Sequence, residues 1–253
     1  RALLAGEIEV AMVQADVALW ARQGQGPFAG EPGERNILAL ASLYPERLQI
    51  VTRPGADITS VMDLRGKSIS LDEVGSGTLA AMKIVLQAYG LSEKDLRPAY
   101  LKPEFTVESL ATGRLDGFCL MSGVPAQAVT DVAERGIRLV PVDRHTAKAI
   151  NAAHPYLVPG IIPDGAYPGV PETPTIEVNA LLVVAGTMAD DLAYDLTQDL
   201  WSERTLDLLD SAHVQGRFVT LDSALNGLSI PLHPGARQYY QDQGLIGEAD
   251  PRP

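Results

Sequence analysis

The residues best suited to do chemistry in this chain stand in Gly75-Ser76-Gly77-Thr78. They lie between an alternating segment, Ser68-Ile69-Ser70-Leu71, and a helical pattern carried by Leu79, Met82, Val85, Leu86 and Tyr89. A helix that begins at Ser76 to Thr78 leaves its first backbone N–H groups without intrahelical acceptors, and their partial positive charge favours an anion. The glycines let another group approach that backbone closely, and the Ser76 and Thr78 hydroxyls add donors. One reading is a pocket for a carboxylate or a similar group. The other is that Ser76 or Thr78 only caps the helix, a common role for these residues. At the far end, Gly90 stands where a left-handed C-cap belongs.

Catalytic chemistry finds no comparable set. The four histidines, His145, His154, His213 and His233, form no metal-spaced pair, and His154 and His233 each precede a proline in a turn-like setting. A nucleophile elbow needs Gly two residues before Ser76, where Val74 stands. Gly66-Lys67-Ser68 ends like a phosphate-binding loop, but Val61 holds the place of its first Gly and a strand pattern follows, so it reads as a turn. The single Cys119, within Phe118-Cys119-Leu120-Met121, reads as a buried structural thiol and excludes an intrachain disulfide. The expectation is a non-enzyme with no cofactor and no metal.

The elements that must position these residues alternate. Strands are expected at 7–13, 48–51, 68–71, 98–101, 115–121, 139–142 and 175–184, and a short apolar segment at 36–43. Helices fall between them at 15–21, 78–89, 106–112, 125–136 and 145–153. A single long helical stretch covers 190–212, and a strand and turn at 227–236 precede a last short helix. Residues 23–34 read as a Gly- and Pro-rich loop. Residues 155–174 hold six of the 18 prolines and read as a crossing rather than a regular element. The pattern argues for an α/β protein with largely parallel sheets.

The 253 residues, 46% hydrophobic and 21% charged, suit an ordinary globular protein with one sizeable core or two smaller ones. A net charge of −12 repels the phosphate backbone, and no basic patch offsets it, so no nucleic-acid partner is expected. The longest apolar run, 180–185, falls far short of the roughly 20 residues that span a bilayer. The opening Arg1-Ala2-Leu3-Leu4-Ala5-Gly6 reads as the end of a helix, with no signal peptide before it, so an N-terminal strand and most of a helix are expected to be missing. One internal echo pairs residues 4–14 with 111–121, each a helix closed by Gly and then an apolar strand. It suggests two similar lobes, or simply two corners of a common kind.

Asp63-Leu64-Arg65-Gly66-Lys67, Gly75-Ser76-Gly77-Thr78, Tyr89-Gly90-Leu91, Gly123-Val124-Pro125, Tyr167-Pro168-Gly169 and Pro231-Leu232-His233-Pro234-Gly235-Ala236 occur in that order. As an ordered set they resemble the TAXI family of solute-binding proteins, which serve TRAP-type secondary transporters. The resemblance implies a two-lobed, type II-like periplasmic binding protein with a hinge and an interlobe ligand cleft. Such a protein would be a periplasmic monomer that captures a small organic acid, an amino acid such as glutamate or a dicarboxylate, for TRAP transporter membrane subunits. Residues 1–55 with 175–253 would form lobe I, and 56–174 lobe II. By position, Ser76, Gly77 and Thr78 fall on the family's helix-start ligand loop, Gln14 and Asp16 on the strand-end loop of lobe I, and Ser122 and Gly123 on that of lobe II. Gln14 can donate to and accept from a ligand, whereas Asp16 suits an amino group or, as we favour, caps the next helix. Asp72 and Glu73 depart from the pattern, because acids there oppose an anion unless they pair or point away. The rival classes are an effector-binding module of a regulator and an enzyme on the same bilobal fold.

Overall fold

The computed structural model describes residues 1–30 and 36–247, so part of the expected 23–34 loop lies outside the described residues. Along the chain run α1 (Ala2–Ala5), β1 (Val10–Gln14), α2 (Ala15–Gln23), β2 (Ile37–Thr52), β3 (Ser68–Ser70), α3 (Gly77–Ala88), β4 (Arg97–Ala99), α4 (Val107–Ala111) and β5 (Gly117–Ser122). After these come α5 (Gln127–Ala133), β6 (Arg138–Leu139), α6 (Arg144–Ala153), β7 (Val158–Ile162), β8 (Thr173–Ala185), α7 (Asp190–Leu200), α8 (Glu203–Ala212) and α9 (Pro234–Asp242). The architecture is mixed α/β, as the alternation of patterns implied.

The chain forms two compact units, Arg1–Pro45 with Val178–Pro253, and Glu46–Glu177. Strands β2 and β8 each pass from one unit into the other. In the first unit β1 pairs antiparallel with the second half of β8, from Val10 opposite Val184 to Gln14 opposite Ala180. Helix α9 closes against this unit through buried polar anchors. The Tyr240 hydroxyl donates to Leu40 O at 2.9 Å and accepts from Trp201 Nε1 at 3.0 Å. His233, fully buried, caps α9 by accepting from Gly235 N at 3.2 Å, and its Nε2 lies 3.1 Å from Met188 O. The ring thus joins the start of α9 to Met188 as a staple. The next residues explain a glycine: a Cβ on Gly235 would lie 2.0 Å from Asp190 O, so only Gly lets α9 approach α7 this closely.

In the second unit β5 is flanked by β2, antiparallel from Arg47 opposite Ser122 to Thr52 opposite Gly117, and by β3, parallel to it. β3 also pairs parallel with β4, β6 pairs antiparallel with the end of β2, and β7 forms a hairpin with the first half of β8. Phe118, Leu120, Val129, Val132 and Tyr167 build its buried core. The expectation of largely parallel sheets is corrected to a mixed arrangement. Helical crossovers give β3 its parallel partners, while the strands shared between units and the hairpin run antiparallel.

Four further expectations change. The apolar segments 36–43 and 48–51 belong to one strand, β2, that continues through Pro45; pairing with β5 begins only at Arg47, so the missing proline N–H breaks no bond of that ladder. The Pro-rich crossing contains β7, where Pro159 is tolerated because, among the described residues, β7 pairs on one side only, with β8. The 190–212 stretch is two helices, because Ser202 caps a new start by accepting from Thr205 N at 3.3 Å. In 227–236 only Leu232 makes a β-bridge, to Ala39. Both halves of the internal echo are a helix, a left-handed glycine and a strand: Gly6 at φ 71° in one unit and Gly113 at φ 73° in the other.

Candidate functional site

Helix α3 is closed at both ends by its own sequence. Ser76 is the N-cap, its Oγ accepting from Leu79 N at 3.1 Å. At the other end Gly90, at φ 68°, donates to Gln87 O and Leu91 donates to Leu86 O, the paired bonds of a Schellman turn. The first-turn amides can then be accounted for one by one. Ser76 N donates to Glu73 O at 3.1 Å and Leu79 N to the cap, while Gly77 N and Thr78 N donate to no group among the described residues. Gly75, at φ 90°, turns the chain so that this end follows directly from β3.

The side chains around those amides have settled roles. Thr78 is only 4% exposed, and its Oγ1 accepts from Met121 N at 3.1 Å, which ties α3 to the last residues of β5. The hydroxyl expected to donate to a ligand is thus an acceptor for the sheet. Asp72, at φ 70°, accepts from Glu73 N at 2.7 Å, and Glu73 pairs with Lys102 at 3.3 Å. The two acids expected to oppose an anion are therefore occupied: Glu73 by a cation and Asp72 by a backbone amide.

The Thr78–Met121 bond sets the start of α3 beside Ser122 and Gly123 at the end of β5, so Ser76, Gly77, Thr78, Ser122 and Gly123 come together in one unit. Ser122 Oγ accepts from Gln49 Nε2 at 3.1 Å and donates to Gly123 O at 3.2 Å. Gln49 Oε1 accepts a short bond from the Tyr167 hydroxyl, which itself accepts from Ala126 N at 2.7 Å. Burial pushes the Tyr167 hydroxyl up to about 12, against the opposing pull of the Ala126 and Gln49 bonds, so it stays protonated. Gln49 and Tyr167 were absent from the expected site. The available signals were a lone amide inside the apolar run 48–51 and the Tyr167-Pro168-Gly169 motif.

Gln14 and Asp16 belong to the other unit. Gln14 ends β1 and occupies the N-cap position of α2, with no side-chain capping bond. Asp16 is fully buried inside the first turn, and its Oδ1 accepts from Val17 N at 2.7 Å. The cap position expected for Asp16 is therefore filled by Gln14, and the Asp16 carboxylate serves a first-turn amide from one position further in. Elsewhere, Cys119 is 1% exposed and burial pushes its thiol up, which suits packing rather than attack. Lys67 Nζ donates to Ala56 O at 2.6 Å and is followed by β3, so Gly66-Lys67-Ser68 is a turn. Among the described residues no group of three or more His, Cys, Asp or Glu could hold a metal ion, and no helix is long and apolar enough to cross a membrane.

The fold is that of periplasmic solute-binding proteins. The chain aligns with the periplasmic aliphatic sulphonate-binding protein SsuA of Escherichia coli, at 14% identity over 95% of this chain and 67% of that one, with a TM-score of 0.52. A protein of Bordetella bronchiseptica RB50 aligns at 14% identity over 98% and 76% of the two chains, with a TM-score of 0.53. A third structure, described with glutathione import via GshT and the cystine ABC importer TcyBC of Streptococcus mutans, aligns at 13% over 86% and 74%, with a TM-score of 0.50. The chain belongs to the NMT1-like family, whose model matches residues 1–244. That assignment does not specify the TAXI family and names no transporter.

Proposed function

We propose that this protein is an extracytoplasmic solute receptor that takes a small organic acid at the start of α3 and passes it to a TRAP-type transporter. The observation that carries the ligand class is the pair of first-turn amides, Gly77 N and Thr78 N, without acceptors among the described residues, next to a loop already fixed by its own bonds. Converging N–H groups at a helix start favour a carboxylate without bringing in a counter-ion. Family and fold support the receptor class. The TRAP partner rests on the ordered motifs from Asp63 to Ala236. Gln14 and Asp16 stay in the proposal as further contacts on the sequence pattern alone, and Ser122 and Gly123 read the neutral part of the ligand through the loop backbone.

The test is calorimetry with L-glutamate, succinate and methanesulfonate, each against a neutral amide of the same size. Binding of either carboxylate, with the matching amide much weaker, supports the reading. Preference for the sulphonate, or equal binding of acid and amide, refutes the carboxylate assignment. That the two compact units act as closing lobes is part of the same proposal. A more compact scattering profile with saturating acid supports it, and an unchanged profile refutes it.

A further inference from the structure

Gln49 stands between Leu48 and Ile50 in β2, and none of its surface is exposed. A primary amide enclosed in this way persists only with its hydrogen bonds made, and an apolar residue of similar size would serve packing as well or better. Both ends of the amide are used. Nε2 reaches Ser122 Oγ at 3.1 Å and Oε1 takes the Tyr167 hydroxyl proton, while the same hydroxyl accepts from Ala126 N at 2.7 Å. The bonds therefore grip the segment 122–126 at both ends, and the proton of Ser122 closes the chain onto Gly123 O at 3.2 Å. Ser122 has then given its only proton away within the protein, so what this loop offers a ligand is the backbone, and the backbone is set by Gln49 and Tyr167.

We propose that Gln49 and Tyr167 are positioning residues for the ligand. Neither touches it; together they hold segment 122–126 in the conformation that presents Gly123 beside the start of α3. The inference rests on the receptor function proposed above. It also explains why a tyrosine 118 residues away in sequence is buried with its hydroxyl aimed at β2 rather than at water.

The experiment compares Tyr167→Phe, Gln49→Leu and the double variant with Tyr240→Phe, which removes a buried hydroxyl bonded in the other unit. Affinity is measured by calorimetry for the tightest of L-glutamate, succinate and methanesulfonate, thermal stability by calorimetric scan, and amide exchange at Gly123 and Ala126 by NMR. Tyr167→Phe and Gln49→Leu should each weaken binding about tenfold and speed exchange at both amides, and the double variant should add little more, because the two residues act through one chain of bonds. Tyr240→Phe should lower the melting temperature but leave affinity within about twofold and exchange at Gly123 unchanged. Variants that lose stability as Tyr240→Phe does, with affinity and loop exchange intact, overturn the inference. If the wild type binds none of the three probes, the proposed function fails in its ligand. The exchange measurement still decides the inference: unchanged exchange at Gly123 and Ala126 in Tyr167→Phe overturns it.

Discussion

Replacing Gly77 by Pro tests the ligand amides directly, because Gly77 is the first residue of α3 and a proline there removes an N–H that the helix itself does not use. The residue before it suits the change: Ser76 sits at φ −72° and ψ 153°, the extended region that precedes proline. Stability should hold or rise slightly, by about 0.4–1 kcal/mol, since proline restricts the unfolded chain more than glycine does. Binding should suffer, because one N–H donating to a charged acceptor contributes about 1.5–3 kcal/mol, roughly ten- to a hundredfold in affinity. The proline ring also adds bulk where the N–H pointed, so acid and amide ligands must be compared in the same titration. A clash weakens both alike, whereas loss of a charge-directed donor weakens the acid more. Gly77→Ala, which keeps the N–H, serves as the bulk control. If Gly77→Pro binds the acid as the wild type does, or loses acid and amide equally, the start of α3 does not hold the carboxylate and Ser76 is there only as a cap.

Three further outcomes can be checked on the free protein. Thr78→Ala should cost about 1–3 kcal/mol in urea unfolding by leaving Met121 N–H buried without an acceptor, and Thr78→Ser should recover most of it. Gly235→Ala should lower the melting temperature and cost about 1–3 kcal/mol, because its Cβ would press on Asp190 O and force α9 away from α7. The Asp143 carboxyl, held down to about 2 by the Tyr89 hydroxyl bond and then by the amides and hydroxyl at the start of α6, should titrate well below an ordinary Asp by NMR. Its folded pKa is depressed, so its contribution is fully present above about pH 4 and is lost as pH falls through about 2. A titration midpoint near 3.8 would show that those bonds do not hold in solution.

Features determined within a few residues of chain were legible in the sequence. The Ser76 cap, the left-handed Gly90 that closes α3, and the glycine corners at Gly6 and Gly113 all follow from residue type and short spacing. Features determined by distant partners were not. The segments 36–43 and 48–51 read as separate until the pairing of β2 with β5 is seen to start at Arg47, past Pro45, and the strand within 158–162 exists because β8 pairs with it. The same holds at the candidate site. Residue types placed Ser76 and Thr78 at a helix start, but that the Thr78 hydroxyl serves Met121, 43 residues on, is a fact of tertiary packing. Gln49 gave a signal, an amide among apolar neighbours, whose meaning depended on a tyrosine no local pattern could bring to it.

The division of the chain also sets an order of events during synthesis. Glu46–Glu177 is one uninterrupted stretch, so everything that builds the unit around β5 has been synthesised before residue 178 is added. The other unit cannot begin in earnest until Val178 and the residues after it arrive to give β1 its only paired neighbour among the described residues, β8. Until then the edge of β1 that β8 covers in the folded protein is unpaired. Residues 1–45 thus wait for residues 178 onward to complete their unit, and the interval is when that unpaired strand edge is most open to aggregation.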